Sequence, residues 1–209
     1  MPAEQFEQAE RLLSHLTPEE QRRLFKRVGL PDYPWYDAAE GDDIQQGDIL
    51  ERCRVFKPPP DLEAKLLSGP EVVWEERDLV VLSQSCDLVK GRCKVEEVLF
   101  CAVWARSEFK PEDYLSTSKG MENARRGNLP AFHVLAESEI VGLEREIQVV
   151  DFRRVCTLPI EYVRNLASEK SPRLRVLPPY REQLAQAFAR FFMRVGLPID
   201  IPTFTKSVL

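Results

Sequence analysis

The sequence predicts an α+β fold in which an antiparallel sheet is bracketed by helices at both ends, and three observations carry this. Short apolar runs at residues 79–82 and 95–103, rich in Val and Phe, flank a polar connector and read as buried strands. A helical hairpin is expected over residues 1–31, with Thr17-Pro18-Glu19-Glu20 as a capping box between its helices and Gly29-Leu30-Pro31 as its stop. A long C-terminal helix is expected to begin after Pro178-Pro179 and to end at Gly196-Leu197-Pro198. Its Leu184, Ala187, Phe188, Phe191 and Val195 share one face.

Composition sets the outer bounds. The 209 residues are 44% hydrophobic and 30% charged, which suits one domain with appendages. No apolar run approaches the roughly 18 residues needed to cross a bilayer, and the acidic start lacks the regions of a signal peptide. A cytoplasmic location without membrane attachment is therefore expected. Cys53, Cys86, Cys93, Cys101 and Cys156 are an odd number of cysteines and read as reduced, buried thiols. Net charge is −5 but uneven. Residues 1–52 carry twelve acidic and six basic side chains; residues 153–194 carry three and nine. Either the two ends neutralise each other, or the basic third meets nucleic acid or an acidic partner.

Taken in order, residues 32–46 form a linker with two aromatics, Trp35 and Tyr36, and an acidic loop. A strand follows to about Phe56, in which Ile49, Cys53 and Val55 share one parity. Pro58, Pro59 and Pro60 then force an excursion, since no central strand carries three prolines. In the second strand of the central pair, Val95, Leu99, Cys101 and Val103 alternate with Val98, Phe100, Ala102 and Trp104, so both sheet faces are expected to be covered. Residues 107–128 lack a core pattern and read as a long binding or mobile loop carrying Lys119, Arg125 and Arg126. Further strands are expected at residues 129–136 and 146–156, the latter bulged between Val149 and Val150.

The connector between the central strands holds Cys86-Asp87, a candidate binding site together with Lys119, Arg125 and Arg126. One reading makes Cys86 a nucleophile activated by His133. Another sets Cys86, Cys93 and Cys101 with His133 around zinc. The third makes Cys86 a packed thiol and Asp87 a turn-former. The cysteine spacing is poor for zinc, a nucleophile would need a stabilised thiolate, and the third reading is favoured; no metal is expected. No cofactor is expected either, because neither a phosphate-cradling Gly-rich loop nor a flavin or nicotinamide fingerprint is present.

Five short motifs occur in a telling order: Gly47-Asp48-Ile49, Arg77-Asp78-Leu79-Val80-Val81-Leu82-Ser83, Val98-Leu99-Phe100-Cys101-Ala102-Val103, Leu129-Pro130 with His133-Val134, and Val150-Asp151-Phe152-Arg153-Arg154-Val155. This series resembles the MazF/PemK toxin family over roughly residues 46–165. The resemblance implies an SH3-like, strongly bent antiparallel β-barrel, with residues 1–31 and 178–209 packed on it. It also implies cleavage of single-stranded RNA by an Arg, matched by Arg77, and a hydroxyl. Trp104 stands near the hydroxyl position, and Ser107 is the nearest replacement. The expectation drawn from this is a regulatory, non-catalytic protein-binding module, as in bacterial toxin–antitoxin, stress or defence systems, with another protein or a second copy of the chain as partner. The alternative is a divergent endoribonuclease using Arg77 and Ser107, with RNA as its partner.

Overall fold

The structure is a computed structural model and describes residues 34–57 and 74–193. The expected N-terminal hairpin, the proline excursion, Gly196 and the C-terminal tail lie outside the described residues. Among the described residues, seven strands fall into two antiparallel sheets. The larger is built from β2 (Ile49–Phe56), β3 (Trp74–Val81), β4 (Glu97–Ala105), β5 (Phe132–Leu135) and β6 (Gln148–Pro159), in the order β2-β3-β4-β6-β5. The smaller pairs β1 (Tyr36–Ala39) with β7 (Arg173–Val176). Among the described residues three α-helices accompany the sheets: α1 (Ser118–Arg125), α2 (Ile160–Glu169) and α3 (Tyr180–Phe192).

The α+β class therefore holds, but the SH3-like barrel does not. The edge strands β2 and β5 do not pair with each other, and both sheets are open. With no closure, the MazF/PemK resemblance is overturned as a description of this fold. The reason is physical: the five motifs mark strand starts and apolar runs, and these occur in any antiparallel meander of the same order. Closure depends on the two edges meeting, which local motifs do not encode.

The central strands are covered on both faces. Val80, Leu82, Cys101 and Val103 join Ile49, Val150, Phe152 and Leu184 in one core. Leu79, Val81, Val98 and Phe100 join Leu50, Cys53 and the α2 residues Ile160, Val163, Leu166 and Ala167 in another. α3 closes the first core, with Leu184 fully buried and Ala187, Phe188 and Phe191 packed on it.

Two bulges decide which side chains face where. Between Leu50 and Cys53 the register of β2 slips, and Arg52 takes φ 48°, the one non-glycine residue with positive φ among those described. Ile49 and Cys53, expected on one face, therefore end in different cores. In β6 the slip comes where Ala102 pairs with Asp151 and Cys101 with Val155. It lies beyond the expected Val149–Val150 position, and it turns Phe152 into the core while exposing Arg153 and Arg154.

Residues 107–128 are ordered rather than a bare loop. Two 3-10 turns lead into α1, where Thr117 caps by accepting the Gly120 amide at 3.0 Å. Met121 and Ala124 of α1, with Leu115, bury against Val149 in a third core. The two sheets are joined through Asp48, which is fully buried and holds Arg173 and Arg175. Asp43 lies 4.0 Å from Arg175, so within the described residues the acidic and basic ends do meet.

Candidate functional site

The structure disperses the residues singled out from the sequence. Arg77 sits on β3 with its side chain 11% exposed, ion-paired to Glu75 and lying 4.8 Å from the centre of the Trp104 ring. Arg77 holds the Glu75 carboxyl below its ordinary range through a hydrogen bond. Ser107 lies in the turn beyond β4, where its hydroxyl donates to Glu146 and its amide to the same carboxylate at 3.2 Å. No hydrogen bond of either residue reaches the other. With the barrel overturned, both functions inferred from it, regulatory module and family-type endoribonuclease, lose their basis.

Lys119 is exposed on α1. Arg125 and Arg126 both close on Glu122, at 2.7 and 2.6 Å, and pull its carboxyl down to about 2, Arg125 first. They form a local ion cluster rather than free cations. Cys86 and Asp87 occupy an exposed 3-10 turn, so Cys86 is not a packed thiol. Its sulfur contacts Gln84 and Asp87. His133 instead stacks beside Phe152, 6.3 Å between ring centres, with its Nε2 buried and unpartnered. Burial lowers it to about 4. Among the described residues no group of three or more His, Cys, Asp or Glu is placed to hold a metal ion, and no helix is long and apolar enough to cross a membrane.

A second group of arginines lies around Trp104 and Phe132, drawn into ion pairs and ring faces, with one buried nitrogen of Arg77 left without a hydrogen-bond partner. Arg153 makes two 2.9 Å bonds to buried Asp151 and lies 4.6 Å over Phe132. Arg154 lies 5.6 Å from the Trp104 ring, opposite Asp151 at 3.9 Å. Each guanidinium is committed to an acid or an aromatic face.

The open feature lies elsewhere, at the outer edge of β2. A cleft of about 350 Å³ runs between β2 and α2, lined by Arg52, Arg54 and Glu76 on the sheet side. Tyr162, Leu166, Glu169 and Lys170 line the helix side. Lys170 caps the C-terminus of α2, where the helix dipole favours a cation. Arg52 reaches Glu76 at only 3.4 Å, with the two side chains 77% and 51% exposed, a pairing too solvated to tie either group down. Arg54 and Lys170 have no ion pair among the described residues.

The cleft continues into aromatic surface. Arg54 pairs with Glu76, and two residues further along the same face Phe56 pairs with Trp74. These rings meet edge-on, 6.0 Å between centres, and stand 44% and 56% exposed. Tyr162 adds a third exposed ring, at 43%. The left-handed backbone at Arg52 is held by its amide donating to Asp78 at 2.7 Å. Such a conformation costs about 1–2 kcal/mol in a residue with a Cβ, and persists only where its surroundings impose it. Sequence reasoning missed this strip. Its signal was the alternation Arg52, Arg54, Phe56 along one strand, polar and aromatic where an edge strand faces solvent.

Compared with known proteins, the chain matches no family model and no curated sequence.

Proposed function

We propose that this protein binds single-stranded RNA, without cleaving it, along the strip formed by Arg52, Arg54, Lys170, Tyr162, Phe56 and Trp74. The observation that carries the reading is the interleaving of cations free of strong pairing with exposed aromatic rings along one open edge. Single-stranded nucleic acid is held in this way: cations track the phosphates, and bases stack on rings. Three cations face two carboxylates, Glu76 and Glu169, so the electrostatic attraction is modest and much of the affinity rests on stacking. A small-molecule ligand is less well served, since an open groove does not enclose it.

The test is fluorescence anisotropy with a labelled single-stranded RNA, titrated at several salt concentrations. Three phosphate contacts predict that log K falls against log salt with a slope of about −2. Arg54→Ala and Lys170→Ala should each reduce that slope by about 0.7. Trp74→Ala should weaken binding by about 1–3 kcal/mol and leave the slope unchanged. Arg125→Ala, whose guanidinium is taken up by Glu122, is the control and should bind like the parent. The RNA should be recovered intact. Absence of binding at low salt, or equal losses in the control, overturns the reading.

A further inference from the structure

The five cysteines divide into two classes. Cys53 and Cys101 are fully buried, and burial pushes both thiols up to about 12. Cys156 is also raised by burial. These three are packing groups. Cys86 and Cys93 are exposed, and they lie on the same hairpin.

Both exposed thiols are gathered around one residue. The Cys86 sulfur lies 3.6 Å from Asp87 Oδ1, and the Cys93 sulfur lies 3.3 Å from the Asp87 carbonyl oxygen and 3.1 Å from that of Val95. The base of the hairpin is already closed, because the Lys94 amide donates to the Asp87 carbonyl at 2.9 Å. Lys94 Nζ reaches Asp87 Oδ1 at 3.1 Å and reinforces the closure. The hairpin is also pinned to the chain before β2, by Lys90 to Asp42 at 2.6 Å and by Gln46 N donating to Ser85 Oγ at 3.1 Å. The chain between the thiols is thus folded back on itself before any covalent bond forms, so the ordering that ring closure normally demands has been supplied by other contacts.

We infer that Cys86 and Cys93 are a dithiol that closes reversibly to an intramolecular disulfide on reaction with a low-molecular-weight disulfide. In the first exchange the thiolate of one cysteine attacks a sulfur of the small disulfide. That S–S bond breaks, one small thiolate leaves and takes up a proton, and a mixed disulfide remains on the protein. In the second, the neighbouring thiolate attacks the protein-side sulfur and expels the second small thiol. The two protein thiols have lost two electrons and two protons, and the small disulfide has gained them.

The test is direct. The full chain, reduced and desalted, is incubated with oxidised glutathione, alkylated, and digested with trypsin, which cuts between the two cysteines at Lys90 and Arg92. The expected product is a peptide pair linked through Cys86 and Cys93, in protein of monomer mass short of two hydrogens and restored by dithiothreitol. Cys86→Ser should leave a stable glutathione adduct on Cys93, and Cys93→Ser the same on Cys86. Separate adducts persisting on both cysteines of the parent chain, links between chains, or unmodified protein would each overturn the inference. Both substitutions are at exposed positions, so folding does not confuse the result.

Discussion

Arg173 and Asp48 form an ion pair sealed from solvent, 2.9 Å apart, with side chains 2% and 0% exposed. Arg173 also donates to the carbonyls of Gly41 at 2.8 Å and Ala167 at 3.3 Å, so one guanidinium ties β7 to the chain before β2 and to the end of α2. Arg175 adds a second cation to the same carboxylate, at 3.0 Å. Burial of these charges is tolerated because each is paired and hydrogen-bonded.

Removing one member leaves the others charged and unmatched. Asp48→Ala is expected to destabilise by about 3–5 kcal/mol, the scale for breaking a buried pair. Chemical denaturation of variant and parent measures it. A loss below about 1 kcal/mol, the scale of an exposed pair, would show that Asp48 is not the joint between the two sheets.

His133 is expected to make folding pH-dependent. Its folded value of about 4 lies below the ordinary 6.5, through burial first and the nearby Arg190 second. The folded state therefore disfavours the proton that the unfolded chain accepts. The stability contributed by neutral His133 is fully present above pH 6.5 and is lost as pH falls toward 4. The shift corresponds to a loss on the order of 3 kcal/mol. His133→Phe should flatten the stability curve across this window relative to the parent. Parallel curves for the two proteins would count against the assignment.

Gly120 is required by a close approach. A Cβ built there would lie 1.8 Å from the Tyr114 carbonyl oxygen, a backbone atom with little room to retreat. Gly120→Ala should destabilise by about 1–3 kcal/mol, although alanine is the better helix former. A variant as stable as the parent would mean that the turn before α1 gives way easily.

Arg52 offers a test of strain separated from charge. Both Arg52→Gly and Arg52→Ala remove the guanidinium, but only glycine relieves the left-handed backbone. The glycine variant should be the more stable by about 0.5–1 kcal/mol, after allowance for its freer unfolded chain. Both should bind RNA less tightly than the parent. Equal stability of the two variants would show that the bulge is unstrained.

The face alternation of the central strands, the apolar stripe of the C-terminal helix and its start near Pro179 were legible in the sequence. Each depends on residues a few positions apart, and a period of 2 or 3.6 reports it. The α2 helix, β7 and the interior of residues 107–128 were not read. In α1 the buried positions are only Gly120, Met121 and Ala124, too few and too small to make a stripe. Of the candidate site, the cysteine connector was visible as a Cys-Asp pair. The arginine–aromatic strip was not, because its members come from β2, β3 and α2, elements far apart in the sequence.

By itself the sequence determined that this is an α+β chain with a two-faced antiparallel sheet, since the burial pattern along each element is local. Tertiary structure alone decided that the sheet stays open, that Arg52 is turned outward by a bulge, and that Asp48 meets Arg173 across 125 positions. Those outcomes depend on where distant edges and charges arrive once the chain has folded, and no short-range pattern carries that information.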